Sequence, residues 1–406
     1  MNGKGLYAIR RPFVLYLNQK MTDILILSED GMTVTGVTDN QVVTVTIPET
    51  VKQIGTTAFE NCSNLEKVIL PGSLTSIGSF AFANCVSLKE INIPDGVVEI
   101  KMAAFSSCSS LRSMDLPDSV TKLGEFAFDR CSSLISVSLP KNITEIGEYA
   151  FFECRSLQSI VLPCSLKEIG GGVFHGCTSL KTITLPAGLE KIGGIKMMEE
   201  GGETTYGAFG KCTSLEHVQI PDSVREIDNG AFAHCTSLQS IAFGAGLTKI
   251  GKNAFMCCAS LSEAALPSGL TEIGENAFRG CELLQSVSIP KNVKSIGDAA
   301  FSECRSMRNL KLLDGIEHIG QWAFKDSRHL QSVVLPSTLK TVGNWSFYGC
   351  TSLKNIFSAI SDIRNVSISD HTFPNLLAED CVLHVPAETL NDYRQHPVFG
   401  KFKEIV

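Results

Sequence analysis

A phenylalanine recurs on a 23-residue beat thirteen times along this chain, at Phe59, Phe82, Phe105, Phe128, Phe151, Phe174, Phe209, Phe232, Phe255, Phe278, Phe301, Phe324 and Phe347. A unit of that length cannot enclose a core of its own, so the period dictates a solenoid of stacked coils rather than a set of globular domains. Only the interval from Phe174 to Phe209 departs from the beat, at 35 residues. Twelve extra residues therefore sit in one coil, and the register after them is undisturbed.

The coil from Ile146 to Ile169, IGEYAFFECRSLQSIVLPCSLKEI, carries nearly every repeated position. Its apolar residues fall at Ile146, Ala150, Phe151, Cys154, Leu157, Ile160, Leu162 and Leu166. Over Leu157 to Leu162 the two-residue alternation sends Ile160 and Leu162 inward and Ser159 and Val161 outward, which predicts a strand. Pro163 ends it, having no N–H to give to a continuing ladder. A turn then carries Leu166 and Ile169 inward. The following slot, held by Gly147 in one coil and Gly170 in the next, is glycine in eleven of thirteen coils, with Lys101 and Asp228 as the exceptions. That usage predicts a tight bend with positive φ. The A-F-x-x-C spacing beyond it predicts a single helical or 3-10 turn. Each coil thus has a strand side and a turn side, and the fold class is an α/β solenoid.

Twelve of the fifteen cysteines sit three residues after the repeat phenylalanine, and only Cys164, Cys257 and Cys381 lie elsewhere. The Phe324 coil has Ser327 in that slot. One small thiol per coil is core packing, since free cysteine is among the most buried residue types. Side chains stacked in parallel do not present the dihedral a disulfide needs. The cysteine count therefore leaves the redox compartment open. A net charge of −7 with Lys and Arg dispersed argues against nucleic acid as partner. No apolar run approaches the ~18 residues of a membrane span.

The chain divides into a basic extension at 1–22 with no fold of its own, an N-terminal β cap at 23–47, the coil array at 48–356 and a C-terminal cap at 357–406. In the extension the apolar patch from Pro12 to Leu17 is too short for a secretory signal. Met21 stands as an alternative start, which would make the first 20 residues an upstream extension. Tyr393, Phe399 and Phe402 are placed to cover the last open coil.

The phrases LPDSVTKLGEFAFDRCSSL (116–134) and LPSGLTEIGENAFRGCELL (266–284) resemble the BspA-like leucine-rich repeats, and the resemblance covers about 45–356. The segment 381–406 is similar to the end-cap that often closes such arrays. The resemblance implies a right-handed leucine-rich-repeat superhelix with a parallel sheet on its concave face. It also implies a non-enzymatic interaction protein of the adhesin kind, often carried on microbial surfaces, with no catalytic residues to transfer. Without a convincing export signal, that surface location stays open beside a cytoplasmic one.

Outward strand positions form columns along the sheet face, one residue per coil. From these columns Asp115, Val161, Thr184, His217, Gln219 and Lys311 are the candidate partner-binding residues. The insert, GIKMMEEGGETT at 194–205, adds Met197, Met198, Glu199 and Glu200 on what reads as a projecting loop, where adaptable methionines beside carboxylates suit a partner contact. A glycan platform on the sheet face would need several aromatics, and its columns hold only Phe357. The histidines lack metal-ligand spacing; the nearest approach is Asp370, His371, Asp380, Cys381, His384 and His396 near the end. We therefore expect no enzyme, no cofactor and no metal. The expectation is a monomeric scaffold for a protein partner, against a structural spacer and a glycan-binding surface protein as the alternatives.

Overall fold

The structure, a computed structural model, describes residues 24–199, 202–373 and 381–406. The basic extension at 1–22 and Glu200 lie outside the described residues. The chain forms two compact units, Met1–Pro163 and Cys164–Val406.

Most coils contribute two short strands where one was expected; the alternating segment before Lys191–Ile192 makes only an isolated bridge, Thr182 to His217. In the first unit, the alternating segment forms two parallel three-stranded sheets, one of Thr44–Thr46, Lys67–Ile69 and Glu90–Ile91, the other of Ser113–Asp115, Ser136–Ser138 and Ser159–Ile160. The dipeptide before the glycine slot builds a second ladder: Gln53–Ile54, Ser76–Ile77, Glu99–Ile100, Lys122–Leu123 and Glu145–Ile146. An antiparallel pair, Leu25–Leu27 with Thr33–Val37, opens this second ladder. In the second unit the same two segments form one nine-stranded sheet each. Register follows the sequence period, as in Lys122 opposite Glu145 and Ile227 opposite Ile250. The residue expected in a turn, Ile169, is thus a strand residue, because the coil after it offers an equivalent backbone at Ile192.

The turn side is not helical. Among the described residues helical turns occur only near the C-terminus, with one α-helix at Leu390–Gln395. In the first coil, Ala58, Glu60 and Cys62 donate their N–H groups back to the carbonyls of Gly55, Thr57 and Phe59. The intervening Thr57, Phe59 and Asn61 instead donate along the stack to Ser79, Ala81 and Ala83. This alternation is what excludes a helix, whose N–H groups all point one way. It requires left-handed backbone at two positions per coil, as at Thr57 and Asn61 (φ 57° and 62°), Phe126 and Arg130 (57° and 53°), and Asn276 and Gly280 (54° and 73°).

Positive φ therefore falls two residues beyond the glycine slot, and mostly on residues other than glycine. The slot glycines have another role. A Cβ on Gly78, Gly147, Gly251 or Gly274 would lie 2.4–2.8 Å from the backbone of the preceding coil, so glycine there permits the rungs to close.

Stacking these rungs aligns the phenylalanines. From Phe59 to Phe151 neighbouring rings lie 5.2–5.5 Å apart and within 6° of parallel. In the second unit the column runs from Phe174 to Phe347 at 5.1–5.8 Å and ends on Phe373. All thirteen repeat phenylalanines are fully buried. Phe402 meets Phe373 edge-on and Tyr393 packs on Phe399, so aromatic rings cover the final coil. The Tyr393 hydroxyl bonds Ser358 at 2.5 Å and donates to the Ile360 carbonyl.

The cysteine column does more than pack. Cys85 Sγ donates to the carbonyl of Phe59 in the preceding coil at 3.1 Å, and Cys108, Cys131, Cys235, Cys258, Cys281, Cys304 and Cys350 repeat that bond at 3.1–3.4 Å. Ser327 supplies its hydroxyl to Phe301 in the same way, which explains serine as the substitute. The twelve cysteines of the column are buried. Burial pushes Cys62 up to about 11 and Cys235 and Cys350 to about 12.

Three outcomes follow from this packing. Phe232→Ala is expected to lose ~3–5 kcal/mol of stability, read by denaturant unfolding; an unchanged transition would contradict its place in the column. In the native protein a thiol reagent is expected to label the exposed Cys164 quickly and the half-buried Cys257 more slowly, with the column reacting only after unfolding. Raised thiol pKa values mean that the protonated thiols stabilise the fold fully below pH 9, and that this contribution falls as pH rises from 9 toward 11–12. Each deeply buried thiol then costs about 1.4 kcal/mol per pH unit, so the melting temperature should drop steeply above pH 9. A flat alkaline profile would refute buried thiols.

Candidate functional site

On the longer strands, inward residues are buried and their neighbours face out. Val218 and Ile241 point into the second unit while His217, Gln219, Ser240 and Ala242 are exposed. Because the strands pair in register, His217 lies beside Ser240 and Gln219 beside Ala242. Together with Thr184, Asp222 and Glu263 they line an open trough of about 870 Å³. His217 Nδ1 is 2.9 Å from Ser240 Oγ.

A serine beside a histidine raises the question of nucleophilic catalysis, and the surroundings answer it. A hydrolytic pair needs a group orienting the histidine and N–H donors free to stabilise an oxyanion. Among the described residues no carboxylate is within hydrogen-bond reach of His217, and the trough's central strand, Ser240–Ala242, is paired on both sides. The trough offers hydrogen-bonding side chains on paired strands.

Three of the expected residues, Thr184, His217 and Gln219, are brought together here. Lys311 is exposed in the same sheet, four strands away from Gln219 and outside the trough. Asp115 and Val161 belong to the first unit. Asp115 borders a smaller depression of about 440 Å³ with Lys67, Glu90 and Asn92, in which Lys67 and Glu90 pair at 2.6 Å. That lysine holds the Glu90 carboxyl below its ordinary range. Val161 is 78% exposed, the most exposed large apolar residue among the described residues. Ser240 and Glu263 were not among the expected residues, although a step of one and two periods from His217 reaches both.

The insert is a β-hairpin, not a loop. Gly194–Glu199 pairs antiparallel with Gly202–Gly207, setting Met197 opposite Thr204, Met198 opposite Glu203 and Glu199 opposite Gly202. Strand-forming Ile195, Thr204, Thr205 and Tyr206 near its base account for the self-pairing. The base is fixed to the body: the Tyr206 ring lies 5.0 Å from His175, edge to face. Gly194 and Gly207 press on the carbonyls of Asn229 and Gly230, where a Cβ would come within 1.8 Å.

Of the expected cluster near the C-terminus, Asp380 lies outside the described residues, and the histidines that are described make other contacts. His371 stacks on Trp345 and His384 on Phe357, while Cys381 is buried. Among the described residues no group of three or more His, Cys, Asp or Glu could hold a metal ion, and no helix is long and apolar enough to cross a membrane.

The model of the BspA type leucine rich repeat region matches residues 38–119, 99–197, 203–329 and 271–393. Among solved structures, a leucine-rich repeat protein from Bacteroides ovatus is 30% identical, with a TM-score of 0.77 over 94% of this chain and 96% of that one. A leucine rich cell surface protein from Faecalibacterium prausnitzii is also 30% identical, with a TM-score of 0.46 over 71% of this chain and 92% of its own. The T. pallidum leucine rich repeat protein is 33% identical, with a TM-score of 0.41 over 47% of this chain and 86% of its own. No curated protein matches significantly.

Removing residues 195–206 joins Gly194 to Gly207 and restores the 23-residue interval, giving the phrase I-G-G-G-A-F, which matches the I-G-G-G-V-F of the preceding coil. This deletion is expected to fold and to lose only about 1–2 kcal/mol, from the Ile195 and Tyr206 contacts. A protein that no longer folds would make the hairpin a structural necessity.

Proposed function

This chain belongs to the BspA-type leucine-rich-repeat family, and from that premise we propose that it is a non-enzymatic scaffold that binds another protein through its longer-strand face. In this reading the face is the concave side of a right-handed superhelix, the role is that of an adhesin, and the 194–207 hairpin is a second contact.

The observation that carries the reading is the trough at Thr184, His217 and Gln219. Its strands are held by their neighbours, so the side chains are presented with little conformational freedom left to lose on binding. Strand Ser240–Ala242 already has a partner on either side and cannot take up an added strand. Recognition therefore falls to side chains: amide, hydroxyl, imidazole and carboxylate, with small neighbours such as Ala242 and Ala265 admitting bulk from the other protein. Asp115, Val161 and Lys311 are further contacts on the same kind of face.

The test compares the intact chain with a Thr184→Lys, Gln219→Arg double variant. Proteins retained by the immobilised wild type are purified and measured singly. The variant is expected to bind at least tenfold more weakly while its stability stays within about 0.5 kcal/mol. Equal binding by both would remove the strand face from the reading, and the absence of any partner that binds after purification would favour a spacer.

A further inference from the structure

The turn side carries a column that the sequence reading left aside, two residues before each repeat phenylalanine. Ala299, Trp322 and Trp345 occupy it in successive coils with the same left-handed backbone, at φ 52°, 55° and 54°. Trp322 stacks on Trp345 at 5.9 Å and 7°, and Trp345 stacks on His371 at 5.4 Å. On the other side of Trp322 the next rung holds only the methyl group of Ala299, and the rung beyond it holds Asn276. One aromatic rung is missing from the pile.

The vacancy is a pocket of about 370 Å³. Trp322 and Ala299 line it, with Asn276, Arg279, Asp298 and Glu303 around them. At ~4.8 Å per rung the backbones at Asn276 and Trp322 are about 10 Å apart along the stack; Ala299 between them is 8% exposed and Trp322 40%, so a ring entering the pocket meets the indole from its solvent side. The polar rim is balanced: Arg279 pairs with Glu303 at 3.0 Å and Lys252 with Glu275 at 3.0 Å, and Asp298 and Lys325 also line the pocket with opposite charges. A rim that offers donors and acceptors without a large net charge suits a neutral ring bearing hydroxyl groups more than a cation.

We propose that this cleft binds a neutral hexopyranose, its C–H face on the free face of Trp322 and its hydroxyls on Asn276, Arg279, Asp298 and Glu303. The site lies on the turn side and is independent of the strand-face reading above.

Trp322 and Trp345 are the two tryptophans of the chain, so indole emission reports on this stack alone. The intact protein is titrated with the methyl pyranosides of glucose, galactose and mannose and with N-acetylglucosamine. Sorbitol serves as the open-chain control and tetramethylammonium chloride as the cation control. A saturable change with at least one pyranoside and none with sorbitol is expected, with a dissociation constant on the order of 1–10 mM for a ring of about twelve heavy atoms. Ala299→Phe fills the missing rung with a residue that Phe80 and Phe126 show is tolerated at equivalent backbone, and should weaken binding at least tenfold. Arg279→Ala, on the surface, should weaken it several-fold without affecting folding. No saturable response to any pyranoside at 100 mM would overturn the proposal. So would a response to tetramethylammonium instead, or pyranoside binding that survives both substitutions.

Discussion

A coil of 23 residues leaves its backbone polar groups on two flat faces, and the structure depends on each face meeting an equivalent one. Within each unit, most of the short strands pair with their counterparts one period away. The turn leg does the same by sending alternate N–H groups along the stack, as Thr57, Phe59 and Asn61 do toward Ser79, Ala81 and Ala83. Left-handed backbone at a residue other than glycine costs about 1–2 kcal/mol. An unpaired buried N–H costs a comparable amount or more, so the turn accepts strain at Phe126 or Trp345 to keep the ladder unbroken. Side-chain columns follow from this repetition: identical residues fall on one another, phenylalanine on phenylalanine and thiol beneath carbonyl.

The array was legible because its signal is a period, and a period survives variation at individual positions. Phe59 through Phe347 announce the column, and the alternation in Leu157 to Leu162 marks the strand. The turn was misread because A-F-x-x-C has helical spacing, and spacing cannot distinguish a helix from turns interrupted at Tyr149 and Glu153 by left-handed residues. Glycine misled for a related reason. Its frequency at Gly147 signalled contact between rungs, a long-range demand, where the local reading expected a special angle. The strand at Glu168–Ile169 exists only because Lys191–Ile192 lies beside it.

At the candidate site the outward columns were readable in part. Thr184, His217 and Gln219 could be placed on one face by counting, but the trough that unites them depends on the shape of several adjoining strands. Lys311 satisfied the same count and lies apart. The hairpin is not legible in the sequence because the strand-forming Ile195, Thr204 and Tyr206 are separated by the methionines, glutamates and glycines of a turn-like stretch. The tryptophan pair escaped because its column lies on the turn leg, where outward positions follow no simple alternation.

Near-identical rungs carry a hazard of their own. A nascent chain that skipped a whole period would bring phenylalanine onto phenylalanine and valine onto isoleucine again, at little loss per contact. Specificity in such a lattice comes from its irregularities. The hairpin at 194–207 is the largest of them, and its glycine base packs closely against Asn229 and Gly230. A slipped alignment would set the twelve-residue insert against a coil that lacks its neighbours, so this defect is one mark by which the native count differs from its near-copies.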